Sequence, residues 1–417
     1  MNVGRRRNAA VLGSLSLLCS LVFATWTPQT SGVTADLHGV CFPESTEVGY
    51  VAGGNAQINN GVVLKTTDGG GTWVTKTSGS LNGLNAVYFK DNSTGFAVGL
   101  GGLVLKTTSG GDTWTTVSVP TSVALNSVQF PENGDVGFIV GKPEGDGFRV
   151  LKTTDGGDNW TALTFPYPAA NATVAGGFAT NDIGVAVGTR GMGVRTLDGT
   201  NFEYIGLNTI GDMYAVAFKP GDKTKAYAVG TESFPSVGVV RYSPAADTAT
   251  VWQDCGAPSA TVYLGLSLCR RGNAAYIVGM GGVIGKTTGG TVFLLSPSGL
   301  LSTFYGVCFP TGESTGYVVG EGGLILKTTD GGGTVPGVAE GKVPATSRAG
   351  IRVVSNPSRL GIALRSDAYV PVTVFDASGR ALMSRAATKG LNFLPVRKAG
   401  AYFVKAGAQV ARVVVTD

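Results

Sequence analysis

Four segments carry nearly the same text: GVVLKTTDGGGTW (61–73), GLVLKTTSGGDTW (102–114), RVLKTTDGGDNW (149–160) and GLILKTTDGGGT (323–334). A second shared piece precedes three of them, as LNAVYFKDNSTGFAVG (84–99), LNSVQFPENGDVGFIVG (125–141) and YGVCFPTGESTGYVVG (305–320). Copies at a fixed spacing mark a repeat architecture, in which each unit buries its apolar face against its neighbours. The last apolar residue of the upstream piece falls at Phe42, Phe89, Phe130, Phe178, Phe218, Leu268 and Phe309, seven markers over 267 residues with a mean period of 44.5. That period fits a four-stranded propeller blade, whereas leucine-rich and ankyrin units are shorter.

Each unit parses into four short strands, in the second copy LNAVYF, TGFAVG, GLVLKTT and TWTTVSV, separated by glycine-rich turns. The marker aromatic is expected on the innermost strand, packed between sheets. The residue before it drifts among Cys41, Tyr88, Gln129, Gly177 and Ser267 and is expected to face the central channel, because side chains alternate along a strand. The seventh unit lacks a fourth strand. TWTPQTSG (25–32) copies TWVTKTSG (72–79), so residues 25–29 are expected to supply that strand and to place Trp26 where Trp73 stands.

The composition agrees with an all-β chain: 65 glycines among 417 residues, and only 14% charged residues. Arg5, Arg6 and Arg7, the apolar run 9–23 and small residues before Thr25 read as a signal peptide cut after Ala24; an uncleaved anchor is the alternative. Cleavage lowers the net charge from +5 to +2, which does not favour a nucleic-acid partner. Residues 350–417 hold ten basic and three acidic residues, a net of +7, so 25–349 carry −5 and the tail is a compositionally separate unit. The expected layout is therefore a signal peptide (1–24), a seven-bladed β-propeller (25–335), a Pro/Gly linker (336–349) and a small C-terminal β-sandwich (350–417). Cys41, Cys255, Cys269 and Cys308 remain after cleavage without CxxC spacing, and His38 is the only histidine, so no metal or cofactor is expected. Cys41 and Cys308 occupy equivalent positions in blades one and seven, and a disulfide there depends on the spacing of the inner strands.

In the third-to-fourth strand turn, Asp68, Asp155 and Asp330 head a Thr-x-Asp-x-Gly-x-Thr-Trp pattern, with Trp73, Trp114 and Trp160 at its end. These residues are read as a structural turn staple and an apolar blade cover; the alternative is carbohydrate contact. Units four to six have decayed copies: TLDGTNF (196–202) and KTTGGTVF (286–293) are each one residue short.

Ligand contact is expected on the opposite side, where second-to-third strand loops converge. Three of those loops are enlarged and carry Asn55, Gln57 and Asn59, then Lys142, Glu144 and Asp146, then Glu232 and Phe234; Arg190 and Glu321 join them on the same side. Solvated decoration is the competing reading. An Asp-box glycosidase would need two carboxylates about 5–9.5 Å apart, with Glu144, Glu232 and Glu321 as candidates. No Ser/His/Asp set is present, since His38 aligns with Asn85 in a first strand.

The GFAVG and KTTDGGxTW signatures over 25–335 resemble the Ycf48/Hcf136-like family of seven-bladed propellers, within the BNR or Asp-box group. The resemblance implies a non-catalytic protein that binds a membrane-protein partner. That family's arginine patch has no counterpart that can be placed, because Arg149, Arg190, Arg195 and Arg241 lie in blades whose motifs have diverged. In the tail, VVSNPSRLGIAL (353–364), VTVFDASGRAL (372–382) and LPVRKAGAYFVKA (394–406) resemble the C-terminal sorting domain of the type IX secretion system, with Ser355 where that family usually has proline; an Ig-like accessory sandwich is the alternative. The combined expectation is a secreted or cell-surface monomer whose propeller binds a protein or glycan partner at one mouth. The tail would be recognised by the export machinery.

Overall fold

The computed structural model describes residues 26–333, apart from 44, 56–59, 78–81, 145–146, 164, 166–172, 233–236, 249–251, 258–261 and 297, and strands between 351 and 415. Seven four-stranded antiparallel sheets follow one another, at 37–75, 84–116, 125–162, 173–206, 213–254, 263–295 and 304–328, the last completed by Thr27–Gln29. Second strands such as Gly49–Gly53, Gly95–Gly99 and Gly316–Gly320 are buried at every position, because each is covered by the sheets before and after it. The signal peptide and linker expected from the sequence lie outside the described residues.

The markers form the joints between blades. Phe89 stacks on Tyr50 of the preceding blade at 3.6 Å between ring centres, Phe130 on Phe96 at 4.8 Å, Phe178 on Phe138 at 4.0 Å, Phe309 on Tyr276 at 3.6 Å and Phe42 on Tyr317 at 4.0 Å. Such a ring leaves no room for a side chain on the paired residue of its own blade. A Cβ on Gly49 would stand 2.2 Å from the Phe42 ring, whereas the two blades whose markers are not stacked carry alanine there, Ala226 opposite Phe218 and Ala275 opposite Leu268. The lysine of each KTT motif lies over the same second-strand ring, as Lys106 over Phe96 at 5.5 Å and Lys327 over Tyr317 at 5.8 Å.

Hydroxyl and ammonium groups then fasten each stack to the next blade's turn. Tyr50 Oη donates to the Gly110 carbonyl at 2.8 Å, Tyr317 Oη to Gly69 at 2.9 Å and Tyr227 Oη to Gly290 at 3.1 Å. Lys106 Nζ donates to the Gly156 carbonyl at 2.9 Å and Lys327 Nζ to Gly69 at 2.7 Å. The turns at Gly69 and Gly156 are held by a hydrogen-bonded aspartate, and in the turn at Gly110 Ser109 stands in its place. Asp68 Oδ1 accepts from the Thr72 amide at 2.9 Å and from Thr66 Oγ1 at 2.8 Å, and Oδ2 accepts from Thr72 Oγ1 at 2.7 Å. Asp155 accepts from the Asn159 amide at 3.0 Å and from Thr153 Oγ1 at 2.7 Å, and Asp330 accepts from Thr328 Oγ1 at 2.7 Å. The shortened blade-four turn keeps the device through Asp198, which accepts from the Asn201 amide at 2.7 Å.

The tryptophans do more than cover an edge. Trp73 meets the Phe42 ring edge-on at 6.2 Å, Trp114 meets Phe89 at 5.8 Å, and Trp160 stands edge-on to both Phe96 and Phe130, so each indole is wedged against a stack. The residues that precede the markers face the channel, as expected. Cys41, Tyr88, Gln129 and Ser267 line the channel, but their polar atoms reach sideways. Gln129 accepts from the Phe178 amide and donates to its carbonyl, both at 2.9 Å, and Tyr88 Oη donates to the Phe130 carbonyl at 2.7 Å. Cys41, Cys255, Cys269 and Cys308 are all free thiols, so the Cys41–Cys308 bridge is not formed.

Thr27, Pro28 and Gln29 pair with Lys327, Leu326 and Ile325, and the beginning of the described chain thus closes the ring. Trp26 is buried, meets Phe309 edge-on at 6.2 Å and donates from Nε1 to Ser296 Oγ at 3.0 Å. Farther along, Ile351–Val353, Gly361–Ser366 and Gly390–Pro395 form a three-stranded sheet, and Val370–Asp376, Ala381–Ala387, Gly400–Ala406 and Gln409–Val415 a four-stranded one.

Replacing Trp26 with Ala is expected to cost ~3–5 kcal/mol, read from urea unfolding of the full chain; a loss under about 1 kcal/mol would mean that the closing strand holds without its indole. Acid should act through the turns. The Thr72 amide, followed by the hydroxyls of Thr72 and Thr66, holds the Asp68 carboxyl down to about 2, below its unfolded value of about 3.9. That stabilisation is complete above the unfolded value and is lost as pH falls through the folded one. Melting temperature should therefore drop between about pH 4 and pH 2, and the Asp68→Asn/Asp155→Asn double variant should melt lower at pH 7 with a flatter acid limb. An acid limb of unchanged slope would contradict the assignment.

Candidate binding mouth

Fourth-to-first and second-to-third strand connections share one end of the ring, here called the upper end, and the aspartate turns lie at the lower end. Six of the seven first strands open with a buried apolar residue that anchors them between sheets, Leu37, Leu84, Leu125, Met213, Tyr263 and Phe304, whereas the fourth blade's opens with Thr173. Alternation then turns the next residue toward the axis. His38, Asn85, Asn126, Tyr214, Leu264 and Tyr305 occupy this position and line an upper cavity of about 470 Å3.

These side chains are partly spent on one another. His38 stands edge-on to Tyr305 at 5.0 Å between ring centres, with Nδ1 3.0 Å from the Leu84 carbonyl. Asn85 Nδ2 donates to the Leu125 carbonyl at 2.9 Å and to Asn126 Oδ1 at 3.1 Å. Burial pushes the Tyr214 and Tyr305 hydroxyls up, reinforced by Asp212 for the first and by Asp36 and Glu321 for the second, so both stay protonated donors at neutral pH. Among the described residues no aspartate or glutamate lines this cavity.

Acidic groups occupy the rim, where they hold turns. Asp36 Oδ1 accepts from the Gly322 amide at 2.8 Å, and Asp212 Oδ1 accepts from the Arg190 amide at 3.1 Å. Glu321 is exposed, and its Oε2 accepts from the Thr303 amide at 3.3 Å. Arg190 is exposed at φ 56°, a left-handed conformation that Gly101, Gly281 and Gly322 adopt in the equivalent turns, and Cβ makes it costly for arginine.

Two of the three enlarged loops are strand extensions. Glu144 ends the strand Gly137–Glu144 and Glu232 ends Asp222–Glu232, so neither acid belongs to a free loop. Glu232 is fastened: Oε2 accepts from Thr209 Oγ1 at 2.7 Å, Oε1 accepts from the Ile210 amide at 3.1 Å, and Arg241 Nη2 lies 3.5 Å away. Lys142 and Asn55 are exposed at the rim, with the Asn55 amide donating to Asn60 Oδ1. Gln57, Asn59, Asp146, Phe234 and the side chain of Glu144 lie outside the described residues. Among the described residues no group of three or more His, Cys, Asp or Glu side chains is placed to hold a metal ion, and no helix is long and apolar enough to cross a membrane.

Reading loop length alone missed the apolar surface on this end. Leu301 is 88% exposed, Ile210 65% and Met280 43%, all on connections above blades four to seven. Glu232 fixes the Ile210 backbone, so this exposure belongs to a held turn. Large exposed apolar groups gathered at one end of a fold are the kind of surface that marks an interaction site.

The family model described as photosynthesis system II assembly factor YCF48 matches residues 19–119 and 81–176, which span the first three blades. No curated protein sequence matches the chain. Among solved structures, YCF48 bound to a D1 peptide is 20% identical, with 73% of this chain and 94% of that one covered at a TM-score of 0.56. YCF48 from Cyanidioschyzon merolae is 18% identical over 73% of this chain and 98% of that one, at 0.57. An ancestral GH74 enzyme is 14% identical at 0.58, over 93% of this chain, which spans 63% of the enzyme. The likeness at these identities is one of fold: an all-β seven-bladed propeller of the YCF48 kind, whose sequence signature is carried by its first three blades.

Proposed function

We propose that this protein is a non-catalytic propeller that docks a polypeptide partner across its upper mouth. The observation that carries the reading is the apolar crescent of Ile210, Met280 and Leu301 beside a cavity lined by tyrosine, histidine and asparagine. Burying an exposed aliphatic side chain contributes ~1.5–3 kcal/mol, so three of them supply much of a modest affinity before the mouth adds hydrogen bonds. The neutral hydroxyls and amides suit the backbone of an extended segment, which presents donors and acceptors without charge. The solved YCF48 structure with a D1 peptide supports a peptide as the kind of ligand. A glycosidase reading draws less support, since Glu232 and Glu321 hold turns at the rim and no acid among the described residues lines the upper cavity.

The location belongs to the same proposal. The basic and apolar start at 5–23 is the ground for export, and the two antiparallel sheets within 351–415 are compatible with a small sandwich that serves as a sorting address.

Cross-linking of the full chain in the cells that make it, with bait variants compared side by side, tests the docking surface. Leu301→Glu with Ile210→Glu should reduce recovery of the partner at least ~10-fold, the loss of two central anchors. Val74→Glu, on an exposed outer strand away from the mouth, should leave recovery unchanged. Equal recovery by all baits, or equal loss in both variants, would exclude the upper mouth as the docking site.

A further inference from the structure

The joint between blades five and six keeps only one half of the aromatic contact. Tyr227 stands where Tyr50 and Tyr317 stand in blades one and seven, with its hydroxyl bonded to the Gly290 carbonyl of blade six at 3.1 Å, and Phe293 meets it edge-on at 5.8 Å as the tryptophans do elsewhere. The marker that faces it is Leu268, and among the described residues no ring lies parallel to Tyr227; Tyr242 of the same blade is tilted by 38° at 4.8 Å. Beside Leu268 lies a cavity of about 150 Å3, walled by Tyr227, Leu268, Cys269 and Ala274. At the intact joint between blades one and two the rings close this place: Phe89 stacks on Tyr50, and a Cβ on Gly111 of the next turn would stand 2.6 Å from the Tyr50 ring.

The inner wall of the cavity is uncharged. Cys269 and Ala274 are buried, and burial, reinforced by Glu313, pushes the Cys269 thiol up to about 12, so it carries no thiolate at neutral pH. The charges at the rim are already matched. Lys225 Nζ pairs with Asp222 at 2.9 Å, Lys219 Nζ donates to Asn273 Oδ1, and Glu313 Oε1 accepts from the Asn273 and Ala274 amides at 2.7 and 2.9 Å. Two ammonium groups thus stand beside two carboxylates, a balance that an ion would upset and an uncharged molecule leaves intact. An ammonium has three N–H donors, and each of these has one described bond, so donors remain for an oxygen at the rim.

We propose that this cavity binds an uncharged single-ring aromatic molecule with a hydroxyl group, a phenol, whose ring takes the place of the absent marker ring against Tyr227 and whose oxygen accepts from a rim lysine. A cavity of about 150 Å3 holds one benzene-sized ring. Ring pairs prefer offset-stacked or edge-to-face contact, and Tyr227 supplies a face that an aliphatic marker does not match. The site lies in the wall of the ring and is independent of the upper mouth.

Titration of the full chain with phenol, followed by the NMR signals of its leucine and alanine methyl groups, tests this site. Saturable binding with a dissociation constant on the order of 1 mM is expected for a ligand of this size, with shifts at Leu268 and Ala274 and none at Leu301. Cyclohexanol, of similar size but not planar, should bind about 5-fold more weakly, the loss of a ring–ring contact. The Leu268→Phe/Ala275→Gly double variant restores the residues of an intact joint, so it should melt no lower than the parent chain and bind phenol about ten-fold more weakly or not at all. Should the double variant fail to fold, the methyl shifts of the unaltered chain decide alone. No saturable binding, shifts confined to other methyl groups, equal binding of cyclohexanol, or phenol binding unaltered in the double variant overturns the proposal.

Discussion

The ring depends on one repeated contact: a second-strand aromatic stacked on the next blade's marker, with its hydroxyl or the overlying lysine bonded into the next blade's turn. The contact combines apolar burial with a satisfied polar tip, which makes it both adhesive and directional. It lapses at two joints. Val185 replaces the aromatic before Phe218, and Leu268 replaces the marker beyond Tyr227. Charged groups occupy the neighbourhood of these joints. Arg195 pairs with Glu203, and buried Arg241 donates to the Asn208 carbonyl at 3.2 Å and pairs with Asp254. Both arginines are buried while Glu203 and Asp254 are largely exposed, so these pairs, which lie inside blades four and five, are screened by solvent and do not replace the missing stacks.

The two ends of the propeller are built on different rules. At the lower end the same residues recur in the turns, because every joint needs the same staple. At the upper end the residue after each strand's first anchor is free to vary, since it faces the channel and no sheet packs on it. Histidine, asparagine, tyrosine and leucine therefore follow one another around the mouth, and a ring with near-sevenfold backbone symmetry presents an asymmetric surface.

This division also explains what could be read from the sequence. Blade count, closure by the chain's beginning and the aspartate staple are each written several times, and repetition makes them visible. Glu232 was misjudged because a long connection looks the same in sequence whether it is a free loop or an extension of two paired strands; only its bonds to Thr209 and Ile210 distinguish the cases. The mouth position was overlooked for the opposite reason. Its signal is the lack of a pattern at a fixed place in a patterned strand, and Leu301 and Ile210 carry no mark except exposure.

Closure by Thr27–Gln29 sets an order of events. Three strands of the last blade cannot be finished until they meet a segment synthesised about three hundred residues earlier. Through all of that interval the early segment lacks the strand it pairs with, and the last sheet lacks its outer strand. The circle therefore assembles like a clasped bracelet, whose links form as they appear and whose fastening comes last. Anything that occupies those three residues in the meantime keeps the whole object open.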